Sequence, residues 1–126
     1  MIVMPTFRVP VGIENPLRRG HVVELESVLV DTGADATWIP RHILESLGIL
    51  PEMTEKYEMA NGEVLERDIG YAIVHVSGKR TIDTVVFGEP HDTLILGARS
   101  LDGLNLKVDT KLRRLVEAGP RITAAA

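Results

Sequence analysis

The segment best equipped for chemistry is Val28-Leu29-Val30-Asp31-Thr32-Gly33-Ala34-Asp35-Ala36-Thr37-Trp38-Ile39-Pro40. A carboxylate directly follows an apolar run, and a hydroxyl and a glycine come next. A strand buried on both faces would fix the position of Asp31. Gly33 has no side chain to obstruct a sharp turn that brings its N–H toward the carboxylate. Thr32 supplies a hydroxyl to anchor the loop. An Asp held this way is suited to share a proton with a second carboxylate and to activate water. The tripeptide is also a good turn sequence. Asp83-Thr84, Asp92-Thr93 and Asp109-Thr110 repeat its first two residues, none with the glycine. Taken alone, it leaves a reactive site and a plain turn both open.

The elements that must position this segment read mainly as strands. Residues 6–13 are β-like, with Pro10 marking an edge or a bulge, and residues 14–20 form a loop. Residues 21–30 form a long strand with Val23, Leu25 and Leu29 on one face and Glu24 and Glu26 on the other. Residues 40–47 read as a short helix, with Pro40 in its first turn and Gly48 just past its end. Residues 56–68 read as a hairpin around Asn61-Gly62, a pair suited to a type I′ turn because both central residues need positive φ. A second hairpin joins residues 71–76 to 81–87. Residues 93–96 form a short apolar strand closed by Gly97. One helical turn follows at 98–101, then a last hairpin from 104–108 and 114–116. Seven to nine short strands with two short helices predict an all-β fold, a small β-barrel or folded-over sheet. One domain is expected over residues 1–117, with a tail at 118–126 that frays.

In this context the Asp31 segment resembles the active-site loop of the retropepsins, the retroviral-type aspartic proteases, and the chain is similar to their cellular and bacterial single-domain relatives. The family pattern is an apolar run, Asp-Thr-Gly-Ala-Asp, a small or hydroxyl residue, then more apolar positions, and all of it is present. The likeness continues in order over about residues 6–106. Met59-Ala60-Asn61-Gly62-Glu63 falls where the family has its flap. Ile82 to Gly88 looks like the strand leading into a Gly turn. Leu94-Ile95-Leu96-Gly97 is similar to the apolar-Gly element beneath the catalytic loop, followed by a short helix. There are departures. The flap tip lacks the multiple glycines of viral flaps, Ala98 stands where viral enzymes carry an Arg, and the chain continues into a C-terminal hairpin.

The resemblance implies a flap hairpin over a dimer cleft and an aspartic endopeptidase. One Asp-Thr-Gly in a short chain implies a symmetric homodimer with Asp31 of each subunit facing across the two-fold axis. Thr32 would bond to its mate across that axis, and the Gly33 N–H would support the carboxylate. Asp35 and Ala34 would bind substrate together with Ala60, Asn61 and Gly62 of the flap, while Leu96, Gly97 and Arg99 give structural support. Arg99 reads either as a partner of Asp35 or as an exposed helix residue. A Ser or Thr at position 34 would donate to the carboxylate and favour its charged form; Ala34 cannot, so a rate optimum of about pH 5 to 6 is expected. The competing reading is a non-catalytic module of the same fold that dimerises and binds peptides.

Composition narrows the alternatives. The 126 residues carry a net charge of −4, with 14 scattered Lys and Arg, which disfavours nucleic acid as a partner. Cys is absent, so no thiol nucleophile or zinc–thiolate site exists. His21, His42, His75 and His91 are dispersed without ligand spacing, so neither a metal nor a cofactor is expected. No apolar run suits a membrane span and residues 1–5 lack signal-peptide character, so the expected location is cytoplasmic and a peptide or protein is the expected substrate. Trp38 reads as core or dimer contact rather than substrate contact, and Tyr57 as packing.

Overall fold

The computed structural model describes residues 6–123. Residues 1–5, read above against a signal peptide, and residues 124–126 of the expected tail lie outside them. The elements are β1 (Phe7–Glu14), β2 (Val22–Val30), β3 (Thr37–Pro40), α1 (Arg41–Ser46), β4 (Met53–Glu58), β5 (Val64–Val76), β6 (Lys79–Gly88), β7 (Ile95–Leu96), α2 (Ala98–Leu104), β8 (Leu106–Asp109) and β9 (Arg114–Glu117). This is the expected all-β class with two short helices. Seven strands pair in the order β1-β2-β7-β3-β6-β5-β4, and a further β1–β5 pairing closes six of them into a ring. β4 stays outside the ring as the free limb of the β4–β5 hairpin, and β8–β9 is a separate hairpin.

The ring encloses a core of Val11, Ile13, Val28, Val30, Ile39, Val74, Val85, Phe87 and Leu96, joined by Leu44 from α1 and by Leu101 and Leu104 from α2. Burial of each such side chain contributes on the order of 2 kcal/mol, so the end of β2 is among the most firmly seated parts of the chain. Pro10 sits at a bulge. Val9 pairs with Val28 but Val11 with Leu25, so β2 carries one residue more than β1 there. The extra residue resets the two-residue alternation. Val23 and Leu25 face the core before it, and Val28 and Val30 face the core after it. Leu29, expected on the face of Val23 and Leu25, therefore turns to the opposite face.

Turn chemistry departs from expectation in an orderly way. At the β4–β5 hairpin the Gly62 N–H donates to the Met59 carbonyl at 2.8 Å and the Met59 N–H to Glu63 at 2.7 Å. Gly62 has φ +84°, but Asn61 is not among the residues with positive φ. The tip is thus a type I turn followed by a left-handed glycine, not the expected type I′ turn. Asn61 instead accepts the Glu63 N–H on its side-chain oxygen at 2.9 Å. The two-residue turn with positive φ at both positions occurs at Ser77 and Gly78, between β5 and β6.

Pro40 precedes α1 as its cap rather than lying in its first turn. After Leu47 the amides of Gly48 and Ile49 return to the Glu45 and Leu44 carbonyls at 2.9 and 3.0 Å, the Schellman arrangement that a glycine at this point permits. α2 runs longer than the single turn expected, because Ser100, Leu101 and Leu104 all find buried seats. The start of the segment expected to fray is tied down. The Ala118 N–H donates to the Asn105 carbonyl at 3.0 Å, the Asn105 side chain to Gly119 at 2.7 Å and Arg121 to Asp102 at 2.7 Å.

Candidate active site

Asp31 emerges from β2 at the point where β2 meets β7 in parallel register, Val30 beside Leu96. Its N–H donates to the Leu96 carbonyl at 3.1 Å. The Gly33 N–H donates to Asp31 Oδ1 at 2.9 Å, the contact that the spacing predicts. A Cβ on Gly33 would lie 3.2 Å from that oxygen, so a side chain there crowds the carboxylate. The Ala34 N–H closes the turn on the Asp31 carbonyl at 3.2 Å. Asp31 is half-buried, whereas Thr32 and Gly33 are exposed.

The other wall of the loop is the start of α2. The N–H groups of Ala98 and Arg99 donate to the Ala34 and Asp35 carbonyls at 2.8 and 3.1 Å. This approach requires glycine at 97. A Cβ there would lie 2.6 Å from the Ala36 carbonyl carbon and 2.8 Å from the Asp35 oxygen. Arg99 reaches both Asp35, at 3.9 Å, and Asp83, at 3.6 Å. Its side chain is 51% exposed and that of Asp35 76%, so the Asp35 contact is a loose surface pair contributing under about 1 kcal/mol. Thr37, Ser100 and Asp83 form a hydrogen-bonded group directly behind this wall. The sequence reading missed them as a group. The available signal was a Thr amid apolar residues on the strand after the loop.

The β4–β5 hairpin reaches the loop through aromatic packing. Ala36, Trp38, Ile69 and Val86 form a second buried cluster, covered by Tyr57, Met59 and Ile95. The Trp38 and Tyr57 rings meet edge to face with centroids 5.2 Å apart, and burial is the main cause that pushes the Tyr57 phenol up from its usual range. Trp38 is thus a core residue and Tyr57 a packing residue. Ala60, Asn61 and Gly62 stand at the exposed tip of the hairpin. The structure therefore joins Asp31 through Asp35 to Leu96 through Arg99, and links the tip to them through Tyr57 and Met59 just before it.

Asp31 and Thr32 line a recess of about 70 Å³ together with Phe7, Val30 and Val108. A roomier cavity of about 460 Å³ lies elsewhere, against Trp38, Pro40, Pro90 and Leu94, and includes no expected site residue. Among the described residues no group of three or more His, Asp or Glu is arranged to hold a metal, and no helix is long and apolar enough to cross a membrane.

The family model described as "gag-polyprotein putative aspartyl protease" matches residues 23–102, and the chain belongs to that family. Among solved structures, the simian foamy virus (mac) protease is 21% identical with a TM-score of 0.50, over 75% of this chain and 91% of that one. The foamy viral protease–reverse transcriptase, solved with an RNA/DNA hybrid, is 20% identical with a TM-score of 0.53, over 75% of this chain and 12% of that much longer one. At these identities the likeness concerns the fold. A search of curated protein sequences returns no significant match.

Proposed function

We propose that the chain is an aspartic endopeptidase that works as a homodimer, with the Asp31 carboxylates of two copies forming one site. The observation that carries this reading is the state of Asp31: firmly seated through its backbone, yet given, among the described residues, a single hydrogen-bond donor to its side chain, the Gly33 N–H. A recess of about 70 Å³ at Asp31 is far smaller than the roughly 300–1,000 Å³ of a ligand pocket. A second copy across a two-fold axis supplies both the missing wall and the missing carboxylate. The exposed Thr32 is available to bond to its mate across that axis. β8–β9 pairs within its own chain, and Val108 and Thr110 lie beside Asp31, so the proposed interface includes this hairpin and the loop.

In the proposed reaction one Asp31 is charged and its mate protonated, because two adjacent carboxylates do not both ionise cheaply. The charged one takes a proton from water as the water oxygen attacks the scissile carbonyl. The mate gives its proton to the carbonyl oxygen. The resulting tetrahedral diol collapses when the protonated carboxyl gives its proton to the amide nitrogen, the C–N bond breaks, and a diol hydroxyl returns its proton to the pair, which again holds one. The pair titrates as a unit. Asp35, Ala34 and the Ala60-Asn61-Gly62 tip would hold the extended substrate by backbone hydrogen bonds.

Sedimentation equilibrium at about pH 5, with and without a statine-type mimic that places a hydroxyl between paired carboxylates, tests this reading. A dimer tightened by the mimic supports it, since such mimics bind far tighter than substrate. A monomer indifferent to the mimic sinks it. A dimer indifferent to the mimic favours the non-catalytic module.

A further inference from the structure

Behind the loop, three side chains from distant parts of the sequence form a buried line. Thr37 and Ser100 are fully buried, and the Asp83 side chain is 11% exposed. Thr37 Oγ1 lies 2.6 Å from Ser100 Oγ and accepts the Gly97 N–H at 3.0 Å. The Ser100 hydroxyl donates to Asp83 Oδ2 at 2.9 Å, and Asp83 Oδ1 accepts the Thr84 N–H at 2.7 Å. The proton order follows from valence. A carboxylate only accepts and a hydroxyl has one proton. Ser100 gives its proton to Asp83, so Thr37 must give its own to Ser100, and a lone pair of Thr37 is left for the Gly97 N–H. The line runs one way, from Gly97 through Thr37 and Ser100 to Asp83.

We infer that Asp83 is a positioning residue for the substrate-binding limb of the site, acting through this one-way hydroxyl chain. By fixing Gly97 it holds the next two amides, Ala98 and Arg99, on the carbonyls of Ala34 and Asp35. Its Oδ1 also lies 3.6 Å from the Arg99 guanidinium that faces Asp35. Both carboxylate oxygens accept, which is why Asn does not serve. An amide NH₂ facing the Thr84 N–H would set donor against donor and facing the Ser100 hydroxyl would find an acceptor, so of these two cases the second is adopted. In the second case Ser100 would turn its proton to Thr37 and orphan the Thr37 proton in a buried place, at the cost of an unsatisfied group. The loop's other limb, Asp31 to Gly33, is held by its own bonds to Leu96 and within the turn. The inference deepens the endopeptidase reading and rests on it for its kinetic consequence.

Amide hydrogen exchange on the full chain tests the chain of hydroxyls without reference to cleavage. Thr37→Val, which keeps the shape and removes the hydroxyl, and Asp83→Asn each speed exchange at Gly97 and Arg99 by about tenfold or more. The amides of Val86 and Phe87 stay unchanged, and Thr37→Ser restores protection. Should Thr37→Val not fold, Asp83→Asn decides, since it alters the end of the line nearest solvent. Unchanged exchange at Gly97 and Arg99 in Asp83→Asn overturns the inference. On a peptide that the wild type cleaves, Asp83→Asn raises KM about tenfold and keeps kcat within about twofold. A fall in kcat at constant KM overturns the assignment to the substrate-binding limb. A wild type that cleaves nothing, with the exchange pattern intact, removes the endopeptidase reading and upholds the positioning role of Asp83.

Discussion

Two carboxylates close two neighbouring strands, Glu14 at the end of β1 and Asp31 just past the end of β2, and the chain treats them oppositely. Glu14 is 3% exposed and saturated with donors: the Gly20 N–H at 2.6 Å, Arg19 Nε at 3.0 Å and His75 Nε2 at 2.8 Å. The Gly20 N–H and then His75 are the main causes that hold its pKa at about 2, with Arg19 adding to them against the opposing effect of burial. Asp31 is half-buried and, among the described residues, its carboxylate has only the Gly33 N–H. Both are rigidly placed, but only Asp31 keeps acceptor positions for a partner carboxylate, a water or a substrate. Placement and saturation are separate variables, and a reactive carboxylate needs the first without the second.

The contrast is open to direct attack. The largest effect is expected from Asp31→Asn, which should lower kcat/KM by at least about a thousandfold and leave the thermal midpoint and the sedimentation profile unchanged. A cleaving Asp31→Asn variant would place the chemistry elsewhere. Glu14→Gln should do the reverse, lowering Tm by about 4–8 °C while kcat/KM on a peptide substrate, measured well below Tm, stays at the wild-type value.

The stability from Glu14 should also depend on acid in a defined window. Its folded pKa, about 2, lies below the unfolded value of about 4.3, so the contribution is full above that unfolded value and is lost as pH falls toward the folded one. The Tm gap between wild type and Glu14→Gln, followed by scanning calorimetry, should therefore narrow from about pH 4.5 down to about pH 2. A constant gap would show that donors other than charge-sensitive ones dominate at this corner. The smallest effect tests Asp31 from the other side. Ala34→Ser adds a donor beside the sparsely bonded carboxylate and should move the acidic limb of the rate profile down by about one pH unit or less. The wild-type optimum is expected at about pH 5 to 6, and a wild-type rate still rising at about pH 3 would contradict that expectation.

What sequence conveys about this molecule depends on how local the cause is. The Asp31 turn, its glycine and the apolar strand before it are adjacent residues, and each is legible from its neighbours. So are the Pro10 bulge and the stop at Gly48. The consequence of the bulge is not legible, because the face reached by Leu29 depends on which partner strand absorbs the extra residue. Asn61-Gly62 signals a turn correctly, but the Asn61 side chain finds a local acceptor role and the backbone adopts another turn type. The Thr37, Ser100 and Asp83 group lies outside any local reading. Its members share no pattern along the chain, and only the parallel β3–β6 pairing and the docking of α2 bring them together.

The parallel seat of β2 on β7 has a consequence in time. Strands joined in parallel through a long intervening segment form slowly, since loop closure must precede the contacts that reward it. Asp31 leaves the ribosome before Leu96, Gly97 and Arg99, which shape its loop. A nascent or truncated chain therefore carries the carboxylate without its mould. Whatever reaction the loop performs is withheld until the residues through Arg99 have been made and the ring has closed.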